Sequence, residues 1–139
     1  MTPRDEARLT GVHPILQQAV LYILAAADAL EHPMFVVEGV RTAERQHTLW
    51  QQGRSQPGPV VTGNIDGYEV KGTHQIQEDG QGHAVDLAFV DDPRTPKDET
   101  WDQTMPWRVA GVVGEWLGLV WGGRWKLGDY GHFELKNKY

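Results

Sequence analysis

Three residues of this 139-residue chain, His74, Asp86 and His132, could bind a metal or transfer a proton. Their positions in the predicted strands and loops decide how each is interpreted. His132 begins a short predicted strand in GHFEL, in which strand alternation places His132 and Glu134 on one face and Phe133 and Leu135 on the other. Asp86 lies in the middle of HAVDLAF, between two small alanines, and a buried carboxylate there needs a cation, a metal or several donors. His74 lies in a polar loop, where a solvated side chain is the ordinary interpretation.

Each of these residues also has an interpretation that needs no metal. A solvated sheet face accounts for His132 and Glu134. An ion pair with Arg41 or Arg45 accounts for Asp86 about as well as a metal does. Residue types and spacing therefore leave both interpretations open.

The composition limits the chemistry further. The chain has no Cys, which excludes a thiolate zinc site, a disulfide framework and a cysteine nucleophile. The side-chain ligands of any transition metal would therefore be His, Asp or Glu. With 13 Lys+Arg against 19 Asp+Glu, the net charge is −6, which argues against nucleic acid as a partner.

Length and hydropathy bound the organisation of the chain. A chain of this size predicts one domain, so we expect a single catalytic domain over residues 1–139, with the polar residues 1–9 frayed. No apolar stretch approaches the ~20 residues that cross a bilayer, and the N-terminus lacks the basic start and apolar core of a secretory signal. We expect no membrane insertion and no signal peptide.

Helical and strand periodicities predict the elements that must position the candidate residues. In chain order the pattern predicts a helix over 13–31, a strand over 34–40, a helix over 43–52, a long polar loop over 54–82, a strand over 82–90, a polar turn over 91–99, a helix from about Pro106, and two short strands in LVWGG and GHFEL. Helices beside a small antiparallel sheet whose last strands form a hairpin predict an α+β fold.

Three segments, in order, carry a family resemblance that extends from about Glu38 to Leu135. The first is EGVRTAERQHTLWQQGRSQPG, with an Arg-Thr pair after a strand; the second is KGTHQIQEDGQGHAVDLAF; the third is WGGRWKLGDYGHFEL, with an acidic residue three positions before a His. Together they resemble the zinc peptidases related to D-Ala-D-Ala carboxypeptidases, particularly the short phage endolysins that act as L-alanyl-D-glutamate peptidases.

The resemblance implies a Hedgehog/D-Ala-D-Ala peptidase-like zinc fold and a role for five residues. It makes His74, Asp86 and His132 the ligands of a Zn²⁺ ion, Asp129 the general acid/base, and Arg41 an electrostatic helper. Two imidazoles and one carboxylate leave a fourth tetrahedral position for water, as at a catalytic zinc site. Asp129 would pass a proton from water to the leaving amine, and Arg41 would stabilise the developing oxyanion or hold a substrate carboxylate.

The chain departs from the family pattern in two places. The interval from His74 to Asp86 is longer than usual, and we expect the polar residues around QIQEDG to be looped out; the usual spacing would put Asp79 at the ligand position, a less favoured alternative. The Ser that often precedes the first His is Gly72 here, with Thr73 adjacent, so the substrate contact expected at this position falls to Gly72 or Thr73.

Two tryptophans of the closing segment are candidates for substrate binding. Trp121 and Trp125 flank the expected site and would line a cleft, although packing in the core and rim is the more frequent role of tryptophan.

We therefore expect a monomeric zinc metallopeptidase that cuts the stem peptide of bacterial peptidoglycan at the L-Ala–D-Glu bond, acting as a phage endolysin. It would stay in the cytoplasm of the infected host until a holin gives it access to the periplasm and cell wall. The alternatives are a D,D-carboxypeptidase or dipeptidase that removes terminal D-Ala, a non-catalytic zinc-containing wall-binding module, and a metal-dependent nuclease, which the net charge disfavours.

Overall fold

The structure is a computed structural model that describes residues 1–91 and 104–136. Its helices and strands are α1 (Pro3–Arg8), α2 (Pro14–Ala29), β1 (Met34–Glu38), α3 (Ala43–Gln51), β2 (Ala84–Phe89), α4 (Trp107–Trp116), β3 (Leu119–Trp121) and β4 (His132–Leu135). From α2 onward this is the predicted order, with bounds that differ by a few residues. The polar turn predicted over 91–99 lies almost entirely outside the described residues. No helix in the described ranges is long and apolar enough to cross a membrane.

The four strands form one antiparallel sheet in the order β1-β2-β4-β3. The C-terminal strand β4 thus lies inside the sheet and pairs with both β2 and β3. In the register of β2 with β4, Asp86 lies opposite His132, and Glu38 of β1 lies opposite Asp86 on the other side. The sheet therefore places three ionisable side chains in one row across its middle.

One face of the sheet forms the core, and the other carries the candidate site. Alternate residues of β2 and β4, including Val85, Leu87 and Phe133, are at most 1% exposed and pack against α2 and α4. Because strand alternation sends their neighbours to the opposite face, Asp86 and His132 point away from this core. The predicted α+β fold, a small antiparallel sheet with flanking helices, is confirmed.

The N-terminal segment differs from the expectation of a frayed end, because residues 3–8 form the helix α1. Thr2 and Asp5 form a reciprocal capping box at the start of α1, which satisfies two backbone N–H groups at the helix end. Asp5 is 2% exposed, and its Oδ1 accepts a 2.8 Å hydrogen bond from the backbone N–H of Val36 in β1. Arg8 donates a 2.8 Å hydrogen bond to the Val36 carbonyl, so α1 is bound to β1 at one residue.

Candidate metal site

The structure brings His74, Asp86 and His132 together on the open face of the sheet. Asp86 Oδ2 lies 3.3 Å from His74 Nε2, and Asp86 Oδ1 lies 3.3 Å from His132 Nδ1. Their ligand atoms all lie within 4.8 Å of one another, the one such group of three or more His, Asp or Glu side chains in the described part of the chain. The three predicted ligands therefore form one cluster, and their role as zinc ligands stays a prediction.

Backbone contacts hold His74 against the sheet although it lies in a loop. The Arg41 N–H donates to the His74 carbonyl at 2.9 Å, and the His83 N–H donates to the Thr73 carbonyl at 2.9 Å. These bonds attach the loop to the end of β1 on one side and to the start of β2 on the other. The loop segment that carries His74 is therefore bonded to the residues that follow β1 and precede β2.

The two histidines are each oriented by one further hydrogen bond. His74 Nδ1–H donates to the Gly39 carbonyl at 2.8 Å, which leaves Nε2 to face Asp86. His132 Nε2–H donates to Glu134 Oε1 at 2.8 Å, which leaves Nδ1 to face Asp86. Such partners behind a histidine set its ring orientation and raise its basicity as a ligand.

An unsatisfied atom tests whether these residues fit a metal ion. His74 Nε2 is buried and makes no hydrogen bond, although Asp86 Oδ2 lies 3.3 Å away. Because Nδ1–H is used by the Gly39 carbonyl, a neutral His74 presents a lone pair at Nε2, which repels the carboxylate oxygen unless a proton or a metal ion lies between them. Two imidazoles with one carboxylate are also the donor set of a catalytic zinc site with an open position. The residues present fit a zinc ion.

Asp86 also makes the ion pair that was the alternative interpretation of this residue. Arg41 donates to Asp86 Oδ2 at 2.7 Å, whereas Arg45 lies beside Glu38 instead. Burial acts to raise the pKa of Asp86, but the adjacent His74 and His132 rings and the Arg41 charge together hold it well below its usual range. Asp86 therefore stays ionised, as a metal ligand must be.

Asp129 lies beside the cluster in the loop before β4. Its Oδ2 is 4.0 Å from His132 Nδ1. The Asp129 N–H donates to the Gly122 carbonyl at 2.9 Å, and a side chain at residue 122 would collide with the Asp129 carbonyl oxygen. Burial and the neighbouring charge of Asp86 raise the pKa of Asp129 to about 6. Its carboxyl can thus gain and lose a proton near neutral pH.

His132 responds to the same carboxylates in the opposite direction. Burial by itself lowers the pKa of His132, but hydrogen bonds with Asp86 and Glu134 and the charges of Asp86 and Asp129 raise it to about 10. Excess negative charge therefore surrounds this ring, as a cation-binding site requires.

Gln46 is a residue of the site that the sequence interpretation missed. It is 2% exposed on α3, and its Oε1 accepts a 3.2 Å hydrogen bond from Arg41. Its Nε2 donates to the Ile65 carbonyl at 3.0 Å, in the long polar loop. One amide thus connects the guanidinium of Arg41 to this loop. The available signal was an uncharged polar residue in α3, five positions along the chain after Arg41.

Two of the four residues predicted to bind substrate lie at the site. The Trp125 ring centroid is 4.9 Å from that of His132, and its side chain is 43% exposed. The Thr73 hydroxyl lies 3.4 Å from Glu134 Oε1, the carboxylate that orients His132. Substrate contact by Trp125 and Thr73 stays a prediction.

The other two residues predicted to bind substrate, Trp121 and Gly72, are buried, which contradicts the expected substrate contact. Trp121 is 3% exposed, packs closely against Gly111, and donates from Nε1 to the Tyr130 carbonyl at 2.8 Å, so it belongs to the core. Gly72 is buried beneath Ile65, whose side chain a Cβ at residue 72 would approach to 3.2 Å. Neither residue presents a surface to a substrate.

The additional residues between His74 and Asp86 form a compact turn, in which Gln77 N–H donates to the Gln81 carbonyl at 2.9 Å. Asp79 lies in this turn and contacts His83 Nε2 at 2.6 Å, outside the ligand cluster. The structure therefore does not bring Asp79 together with Asp86 and His132, and His74 stays the predicted third ligand.

A groove of about 820 Å³ runs from the cluster across the open face of β1 and β2. Arg41, Asp86 and Asp129 lie on its wall beside the cluster. Apolar side chains line much of the remainder, among them Phe35, Val37, Leu49, Val60 and Leu127. An extended peptide therefore has an apolar surface to contact and ionisable groups at one place along it.

An α+β fold with two histidines and an aspartate gathered on the open face of its sheet is the architecture of a class of metallopeptidases, and comparisons with known proteins agree. The family model described as D-alanyl-D-alanine carboxypeptidase matches residues 74–135, which include all three cluster residues and Asp129. The chain is also 30% identical, over 137 residues, to the peptidoglycan L-alanyl-D-glutamate endopeptidase CwlK of Bacillus subtilis (strain 168), covering 91% of this chain and 74% of CwlK.

A solved structure extends the likeness to the whole fold. The L-Ala D-Glu endopeptidase ChiX of Serratia marcescens matches with a TM-score of 0.60 and 26% identity, covering 98% of this chain and 89% of that chain. The chain belongs to the D-alanyl-D-alanine carboxypeptidase family, a family of zinc-dependent peptidases, and is an enzyme of that family. The family resemblance of the three sequence segments is thereby confirmed.

Proposed function

We propose that the protein is a zinc peptidase that hydrolyses the L-Ala–D-Glu bond in the stem peptide of bacterial peptidoglycan. The observation that carries the metal is the buried, unsatisfied His74 Nε2 facing the Asp86 carboxylate. The choice of bond is supported by CwlK and ChiX, whose names both specify L-Ala–D-Glu endopeptidases. His74, Asp86 and His132 are the residues that would hold the ion.

A bound zinc ion would supply Lewis acidity and lower the pKa of water, and the chain supplies the other functions. Asp129, whose Oδ2 lies 4.0 Å from His132 Nδ1, would accept a proton from the attacking water and donate it to the leaving amine. Arg41 carries a permanent charge beside Asp86, where it would stabilise negative charge that develops on the substrate. The apolar groove would hold the peptide and exclude water around it.

Mass spectrometry of digested peptidoglycan tests this proposal. We expect zinc-loaded protein to release fragments with a new N-terminal D-glutamate, and Asp129→Ala protein, which keeps the cluster, to release none. Loss of terminal D-Ala would instead identify a D,D-carboxypeptidase, the activity named by the matching family model. A protein that binds zinc and wall fragments but yields no peptide product would be a wall-binding module.

We also propose the biological setting, a phage endolysin that acts as a monomer and reaches the wall through a holin. This proposal rests on the likeness of the three motif segments to the short phage endolysins, while CwlK and ChiX are bacterial proteins. Expression in a Gram-negative host with and without a co-expressed holin tests it. We expect lysis with the holin and intact cells without it. Lysis that needs no holin would contradict this setting.

A further inference from the structure

Arg45 is a cation of the groove whose terminal amino groups have no partner within residues 1–91 and 104–136. It lies in the first turn of α3, four residues along the chain after Arg41, and its side chain is 52% exposed. Its Nε lies 3.4 Å from Glu38 Oε1, and this is its one side-chain hydrogen bond in those ranges. Since Glu38 holds the guanidinium by Nε, the two amino groups at its end are available to a ligand in the groove that Arg45 lines.

In Arg41, by contrast, all three guanidinium nitrogens contact other side chains of the protein. Its two terminal amino groups contact Asp86 at 2.7 Å and Gln46 at 3.2 Å, its Nε lies 3.0 Å from Glu38, and its side chain is 14% exposed. Glu38 Oε1 thus lies between the two guanidinium groups, and Arg45 is separated from the Asp86 ion pair by this one carboxylate and Arg41. Of these two guanidinium groups, Arg45 is therefore the one whose terminal donors are accessible to a ligand in the groove.

The substrate of the proposed function carries a free carboxylate that matches the guanidinium of Arg45. In an L-Ala–D-Glu bond the glutamate nitrogen is acylated, and one of the two glutamate carboxyl groups continues the peptide. The other carboxyl group stays free within one residue of the scissile bond, a distance of about 3.5 Å along an extended chain. A guanidinium presents two parallel donors that match a carboxylate, and it does so at every physiological pH.

We propose that Arg45 binds this free carboxylate and so determines a preference for D-glutamate over its amidated form, D-isoglutamine, at the residue after the cleaved bond. This inference rests on the proposed function and adds the substrate group that the site recognises. Arg41 then acts on Asp86 and on developing charge, while Arg45 selects the substrate. Conversion of the carboxylate to a carboxamide removes the charge and one of the two acceptor oxygens.

Two synthetic stem peptides that differ only in this carboxylate or carboxamide test the inference with zinc-loaded protein. We expect wild-type kcat/KM to favour the carboxylate by about tenfold, mainly through KM, since a charge-assisted hydrogen bond contributes about that factor. In Arg45→Gln the ratio should fall to near one, and in Arg45→Lys, which keeps the charge without the fork, it should be intermediate. Arg124→Gln is the matched control, because Arg124 is 49% exposed and paired with Glu115, and should keep the wild-type ratio.

Zinc content and the thermal unfolding midpoint establish that each variant is folded and loaded. The inference is overturned if Arg45→Gln keeps the wild-type ratio, or if wild-type protein cuts both peptides equally well. In either case cleavage between L-Ala and the D-residue still supports the proposed function. If loaded wild-type protein cuts neither peptide, the proposed function is wrong and the inference fails with it.

Discussion

Glu134 Oε1 lies 2.8 Å from His132 Nε2, so a carboxylate two residues along the same strand fixes which nitrogen of this histidine faces Asp86. Strand alternation puts both side chains on the open face, and the pair needs no other element to form. The predicted ligand and the group that orients it are thus encoded in three consecutive residues of β4.

Removing that carboxylate should weaken metal binding. We expect Glu134→Ala to lower zinc affinity by about 10–100-fold, because His132 loses the acceptor that fixes its ring and raises its basicity. Titration against a competing chelator measures the affinity. Glu115→Ala is the control, since Glu115 pairs with Arg124 away from the cluster, and it should bind zinc as the wild type does. Equal affinities in the two variants would contradict the role given to Glu134.

Replacing Asp129 should separate metal binding from turnover. We expect Asp129→Ala to keep stoichiometric zinc and to lose about 10²–10⁴-fold in kcat, the usual contribution of a general acid/base. The side chain is 38% exposed, so the substitution leaves the core intact. Asp91→Ala is the control, because Asp91 is an exposed aspartate beside His32 and should keep full activity. A zinc-loaded Asp129→Ala enzyme with near wild-type kcat would exclude proton transfer by this residue.

Gln46→Leu should destabilise the fold by about 2–3 kcal/mol, because it leaves the Ile65 carbonyl without its buried donor and Arg41 without an acceptor. Urea unfolding measures the change. The control is Gln51→Leu on the same helix, a half-buried position whose substitution should cost well under 1 kcal/mol. Two variants of equal stability would show that the amide of Gln46 does not hold the loop.

Asp5→Asn should lower stability at neutral pH by about 1–2 kcal/mol. Burial acts to raise the pKa of Asp5, but hydrogen bonds from the N–H groups of Val36 and Thr2 and from the Thr2 hydroxyl bring it below the usual 3.8. Because the folded-state pKa is lowered, the stabilisation is complete above pH 3.8 and is lost as the pH falls through the folded value.

The measurement is the unfolding free energy of wild type and Asp5→Asn across this acid range. The difference between them should shrink as the pH falls, whereas Glu6→Gln, at the adjacent exposed acid of α1, should follow the wild type throughout. A difference that stays constant with pH would show that ionised Asp5 contributes nothing to stability.

Local pattern was sufficient to predict the faces of the sheet but not its register. Alternation in HAVDLAF and GHFEL predicts that Asp86 and His132 lie opposite the core. That these two residues face each other depends on a pairing between strands 46 positions apart, which is set by the packing of the whole core. The family resemblance therefore predicted which residues form the ligand cluster. The contacts between these residues depend on the strand pairing, which local pattern did not predict.

In the helix α1 the local signal was present in the sequence, but the packing of the helix could not be predicted from it. Its capping box, Thr2 followed by Asp5, is visible in the sequence, but the segment contains too few apolar residues to predict a packed helix. What holds it is the contact of Asp5 with Val36, 31 positions away. The expected substrate contact of Trp121 was wrong for a related reason. The distance along the chain from Trp121 to His132 does not indicate which face of β3 the Trp121 side chain occupies.

The binding of α1 to Val36 also has a consequence for how a peptide can enter. β1 is an edge strand, and at its central residue both outward-facing backbone groups are already bonded, the N–H to Asp5 and the carbonyl to Arg8. A substrate peptide cannot extend the sheet by pairing with the backbone at this position, and neither can a second copy of the chain. At this edge of the sheet, recognition therefore depends on side chains that face the groove rather than on generic strand addition.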